Sequence, residues 1–199
     1  AGHLAHNANL SIKAIMGVAS YATLCQARGM TAAATEWQGA ARAMVGEWVR
    51  LAEDGDHHRL AFDKPGSWSQ KYSIVWDRLL GFDVFPPEVA EREAAFYRGK
   101  LNAYGLPLDN RAAYTKLDWQ IWTAILTASL DDFRAIVDRV VRFADETPDR
   151  VPLSDWYDTE TSKHVGFQAR SVVGGVYIPL LRDAEVWRKW ASRADPTYE

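Results

Sequence analysis

The residues in this chain best suited to chemistry are carboxylates set close to tryptophans. Asp118 precedes Trp119, Asp155 precedes Trp156, and Asp56 lies upstream of Trp68. Hydrolysis of an amide or glycosidic bond needs a proton donor for the leaving group and a base or nucleophile for the attack. Carboxylates in aromatic pockets can fill both roles, because burial moves their proton affinities apart. Asp118, Asp155 and Asp56 are therefore the catalytic candidates, with Trp68, Trp119 and Trp156 as walls. Lys116, Arg170 and Lys71 are cations in the same aromatic-rich segments. Each could hold a carboxylate-bearing substrate, or serve as an ion-pair partner for one of the aspartates.

A plainer reading stands beside each candidate. Thr115 with Asp118 three residues later has the form of a helix capping box. Asp54-Gly55-Asp56 reads as a helix exit and turn, and Asp109-Asn110 as turn chemistry. Asp77 and Asp158 complete the acidic set in these segments. Other chemistries lack their motifs: there is no Gly-rich phosphate loop, paired-cysteine site, His-Glu-x-x-His helix or Gly-x-Ser-x-Gly elbow. The pairs His3/His6 and His57/His58 suit capping and surface hydrogen bonding better than zinc, which needs a third protein ligand. No metal and no cofactor is expected.

Composition narrows the partners. Net charge is −3 with no basic block, which argues against nucleic acid. No apolar run is long enough to span a bilayer, so no membrane partner is expected. The single cysteine, Cys25, sits in an apolar helical pattern and reads as buried and inert. Nine Trp in 199 residues exceed what one core needs, so several are expected to line grooves or contacts with a neighbouring domain.

The elements that must position these residues read as helices throughout. Apolar residues recur at helical spacing from Leu10 to Ala27, with Asn7 or Asn9 as cap and Gly29 as stop. A second helix carries Trp37, Ala41, Met44, Val45, Trp48, Leu51 and Ala52 on one stripe, with Thr31 as its expected cap. So short a link makes the two an antiparallel hairpin. Ser67 and Gln70 form a capping-box pattern before a helix to about Leu80. Pro87 suits the first turn of the next helix. A helix from Thr115 shows apolar residues over a wide arc, and Ser129 opens another with a clean stripe from Phe133 to Ala144. An apolar helix with a Gly-Gly pair begins near Ser171, and an amphipathic one runs from Ala184 to about Arg193. No stretch alternates convincingly as a strand. The expected fold is all-α, as successive helical hairpins. Its long loops, 54–67, 105–115 and 151–170, would gather at one end if the hairpins pack side by side.

Five stretches carry a resemblance: GHLAHNANLSIKAI (2–15), KPGSWSQKYSIVWDRLLG (64–81), YGLPLDNRAAYTKLDWQIWTA (104–124), TPDRVPLSDWYDT (147–159) and GFQARSVVGGVYIPLL (166–181). In this order they resemble the fungal and bacterial glutaminase A family. The resemblance implies an (α/α)6 toroid of six helical hairpins and hydrolysis of L-glutamine to L-glutamate and ammonia. It also implies an extracellular or periplasmic location. A start at AGHLAHN without Met reads as the interior of a longer gene product. On that reading, residues 1–199 form one all-α domain, the C-terminal half of a larger toroid. Its partners would be a small-molecule substrate and the N-terminal half of the same protein, with a homo-oligomer as a further option. Two other functions stay open: a glycoside hydrolase with a loop carboxylate pair, and a non-catalytic helical fragment.

Overall fold

The computed structural model describes residues 4–193, and it is mostly α-helical. Asn7 closes the start of α1 (Ala8–Ala27), its Oδ1 accepting the Leu10 N–H at 2.9 Å. Gly29, at φ 73°, turns the chain into α2 (Thr31–Ala52). Thr31 is not the cap: Met30 holds that position, and its carbonyl accepts the Ala34 N–H. The turn is too tight to leave Thr31 outside the helix. The two helices pack as the expected hairpin, with Trp48 fully buried and its Nε1 donating to the Ala8 carbonyl at 2.8 Å. Trp37, Met44 and Leu51 flank that contact and stay partly exposed.

The capping-box reading of Ser67 and Gln70 fails, and helix formation is delayed. The Ser67 hydroxyl donates back to the Lys64 carbonyl. Gln70 is fully buried and spans the fold instead, donating to the Leu106 and Pro107 carbonyls and to Thr115 Oγ1, and accepting from Thr123 Oγ1. A side chain so committed at long range cannot also cap its own segment. A 3-10 turn (Tyr72–Ile74) leads into the short α3 (Val75–Leu79). Then α4 (Pro87–Arg98) starts on Pro87, as predicted.

Short strands occur where only helices and loops were expected. β1 (Glu53–Asp54) pairs antiparallel with β2 (His57–His58). β3 (Tyr114–Lys116) pairs antiparallel with β4 (Trp156–Asp158) in the register Tyr114↔Asp158, Thr115↔Tyr157, Lys116↔Trp156. Two or three residues are too few to show alternation, so periodicity could not reveal them. Thr115 therefore lies in a strand and is no cap for α5 (Leu117–Ala124). α6 (Leu130–Glu146) is capped by Ser129 as predicted. The Gly-Gly segment, Ser171–Arg182, winds as a 3-10 helix rather than an α-helix, consistent with two glycines and Pro179 inside it. α7 (Ala184–Ala191) follows. One continuous apolar cluster runs from Ala8 to Ile178, and α5 sits in its midst, packed on the 3-10 segments and α6. Cys25 is buried.

The predicted gathering of loops takes physical form in two joints. β3–β4 ties the second loop to the third. Ser69 bridges Asp109, and Trp68 and Asn110 exchange hydrogen bonds, which ties the second loop to the end of the first.

Lys71, read as a substrate cation, is instead part of this scaffold. Its ammonium is fully buried and donates to the His58 and Ser69 carbonyls at 2.9 Å, with Glu93 at 3.7 Å. Glu93 in turn accepts from His58 Nδ1 and from the Tyr97 hydroxyl. Burial alone would raise the Glu93 proton affinity, but Lys71, His58 and Tyr97 outweigh it and hold the carboxyl below its ordinary range. Removing one member leaves an uncompensated charge in the core. Lys71→Met should lower unfolding free energy by about 3–5 kcal/mol, and adding Glu93→Gln should restore part of it. Denaturant titration checks this, and a loss under about 1 kcal/mol for the single variant would contradict it.

Candidate functional site

β3 and β4 bring the two aspartate–tryptophan pairs together. Lys116 lies opposite Trp156, and the Leu117 N–H donates to the Asp155 carbonyl at 2.7 Å, so α5 starts against Asp155. Asp118 then falls in the first turn of α5. Asp118 and Asp155 line one cavity of about 360 Å³, together with Lys116, Trp119, Trp122, Arg170, Val172 and Gly175.

The two carboxylates have opposite surroundings. Asp155 is 1% exposed, and its Oδ2 meets Lys116 Nζ at 3.1 Å and the Arg170 guanidinium at 3.5 Å. Asp118 is 6% exposed and has no direct cation partner among the described residues. Burial, reinforced by the negative charge of Asp155, pushes its carboxyl from 3.8 to about 6, against backbone N–H groups and Lys116 that pull the other way. Oδ1 of each aspartate is buried without a hydrogen-bond partner. Both oxygens belong to residues that line the cavity, where donors from a bound molecule or solvent could reach them.

The walls are aromatic. Trp119 stacks on Tyr72 with centroids 4.2 Å apart and planes 8° apart. Trp122 packs edge-on against Trp76 and donates from Nε1 to the Gly175 carbonyl at 3.3 Å. Lys116 Nζ lies 4.3 Å from the centre of Trp156, beside Phe167. Burial lowers its proton affinity, opposed by Asp155. Glycine is required at 175: an added Cβ would stand 2.7 Å from the Asp118 Cβ.

Six predicted site residues thus meet: Asp118, Asp155, Lys116, Arg170 and Trp119 line the cavity, and Trp156 backs it through Lys116. Three do not. Asp56 carries its carboxylate 80% exposed on the β1–β2 turn, bonded to His57 Nδ1 at 2.7 Å. Trp68 is buried against Phe96 and Tyr97. Lys71 is held in the Glu93 network. Asp56 lies in the first loop, and Trp68 and Lys71 follow it directly, where the chain is bonded to the second loop through Ser69–Asp109 and Trp68–Asn110. The remaining acidic candidates are structural. Asp77 accepts the Val84 and Phe85 N–H groups, Asp109 holds the Arg111 fork, and Asp158 caps the turn at Glu160 and Thr161. His57 and His58 face different carboxylates, Asp56 and Glu93, while His3 lies outside the described residues. Trp122, Gly175 and Val172 were missed. Trp122 lies one helical turn after Asp118, and that spacing could have revealed it. The Gly-Gly pair in an apolar segment was the signal for a close approach.

Comparison with known proteins places the chain. It is 31% identical to glutaminase A of Aspergillus oryzae over 189 residues, covering 91% of this chain and 27% of that protein. It is 28% identical to a probable glutaminase of Arthroderma benhamiae over 208 residues, covering 88% of this chain and 24% of that protein. The chain thus spans about a quarter of the length of the curated relatives it matches. The family model for the glutaminase A six helical-hairpin domain matches residues 1–180, and the chain belongs to that family.

Proposed function

We propose that this chain supplies the catalytic carboxylates of an amidohydrolase that converts L-glutamine to L-glutamate and ammonia, within a larger six-hairpin domain of the same protein. The observation that carries this reading is the pair Asp118 and Asp155. They share one cavity, each offers an unpartnered oxygen, and only one has cations on it. The names of the relatives, a glutaminase A and a probable glutaminase, support glutamine as the substrate.

The roles follow from the contrast. Asp118, protonated up to about pH 6, is the general acid. Asp155 is the ion-paired carboxylate, with Oδ1 free to accept a proton from water. Water attacks the side-chain amide carbon as Asp155 takes its proton. Asp118 then delivers a proton to the nitrogen, the C–N bond breaks, and ammonia leaves. The proton held by Asp155 returns to Asp118 through solvent. Lys116 and Arg170 keep Asp155 in place, and Trp119 and Trp122 exclude bulk water.

A glycoside hydrolase is the second reading, favoured by tryptophan walls beside a carboxylate pair, which suit a sugar ring. Screening full-length protein for released sugar against released ammonia separates the two. Sugar release without ammonia would overturn the first reading, and neither product would favour a non-catalytic helical fragment.

Three outcomes are expected for ammonia release. Asp118→Asn and Asp155→Asn each lower kcat/KM by about 10²–10⁴; near wild-type rates from both would sink the assignment. Activity falls as pH rises through about 6, because the acid form of Asp118 is lost there, and that alkaline limb vanishes in Asp118→Asn; a profile flat from pH 5 to about 8 would contradict it. Gly175→Ala, whose new methyl group displaces Asp118, lowers kcat by roughly 10-fold or more while the protein still folds, because small misplacements of a reacting group are expensive. Unchanged kcat in that variant would show that Asp118 does not need its present position.

A further inference from the structure

We propose that Lys13 on α1 binds the carboxylate of the substrate at the rim of the cavity and sets the preference for amides that carry one. The proposal rests on the amidohydrolase reading above. It starts from an accounting of cations. Lys116 and Arg170, the two that line the cavity, converge on Oδ2 of Asp155. Lys116 is hydrogen-bonded to that oxygen and Arg170 lies 3.5 Å from it, so both are drawn toward Asp155.

Lys13 is exposed and pairs with no acidic side chain among the described residues. Its Nζ lies 5.5 Å from the centre of Tyr72 and 5.8 Å from that of Trp119, at the stacked pair of rings. Trp119 is also a wall of the cavity, and Asp118 precedes it in the first turn of α5. Because the two rings stack on each other, the ammonium lies beside the pair, next to the ring that forms the cavity wall. Three ammonium protons remain for an incoming anion. The fixed charges of the cavity point the same way. Lys116 and Arg170 against Asp155, with Asp118 neutral below about pH 6, leave an excess of positive charge. A short aliphatic chain lying along Trp119 would then carry an amide at Asp118 and Asp155 and a carboxylate at Lys13.

The test compares L-glutamine with 4-aminobutanamide, which keeps the amide and the ammonium and lacks the carboxylate, on full-length protein. Lys13→Met should raise KM for L-glutamine about 10-fold, the size expected for loss of one charge-assisted contact, with the effect in KM rather than kcat. KM for 4-aminobutanamide should move less than about 2-fold, and Lys13→Arg should retain most of the affinity for L-glutamine. Equal shifts for both substrates, or none for L-glutamine, would overturn the proposal. If the wild-type protein releases no ammonia, the amidohydrolase reading fails separately. Titration calorimetry with butyrate then decides for Lys13: binding by wild type that Lys13→Met weakens supports it, and equal or absent binding overturns it. Matching thermal melts of the variants exclude misfolding as the cause.

Discussion

A three-residue antiparallel ladder, β3 against β4, is the constraint on which the site depends. Its register sets Lys116 opposite Trp156, and the hydrogen bond from Leu117 to the Asp155 carbonyl continues it into the first turn of α5. A slip of one residue would send every side chain to the opposite face. Lys116 would leave Asp155, and Asp118 would leave the cavity. So short a ladder is not stable alone. Thr115 is fixed from below by the buried Gln70 amide, and Tyr157 by stacking on Phe143 and by its hydroxyl, which donates to the Tyr104 carbonyl. The helices thus hold the ladder, and the ladder holds the chemistry.

Burial of two carboxylates side by side sets up the electrostatics. A fold can neutralise a buried carboxylate with a cation or by leaving it protonated. Here both solutions stand in one cavity: Asp155 takes two cations on a single oxygen, and burial lets Asp118 keep its proton up to about pH 6. The remoter Lys71–Glu93–His58 network shows what full satisfaction looks like in the same molecule, with nearly every polar atom paired. The cavity differs from that network in leaving Oδ1 of both Asp118 and Asp155 unpaired among the described residues.

The helical hairpins were legible because periodicity and caps are local: Asn7, Gly29, Pro87 and Ser129 all act where their neighbours suggest. The two capping boxes misled for one reason. Gln70 and Thr115 bond to each other across the fold, and no local pattern announces a partner that distant in sequence. For the candidate site, adjacency of aspartate and tryptophan singled out Asp118 and Asp155, which the fold brings to one cavity. Lys71 and Trp68, singled out as a cation and an aromatic wall, are instead buried in the core. Asp56 failed in the opposite sense, as a turn residue facing water. Trp122 and Gly175 become visible only once α5 and the 171–182 segment are packed together.

Burial holds the Asp118 carboxyl above its ordinary range, while Asp155 beside it keeps Lys116 and Arg170 on its Oδ2. The most direct measurement is a titration of the Asp118 side-chain carboxyl by carbon-detected NMR in the folded protein. The account predicts a midpoint at about 6. A midpoint at the ordinary aspartate value of 3.8 would contradict it, for Asp118 would then be ionised across the working range and could not serve as the acid.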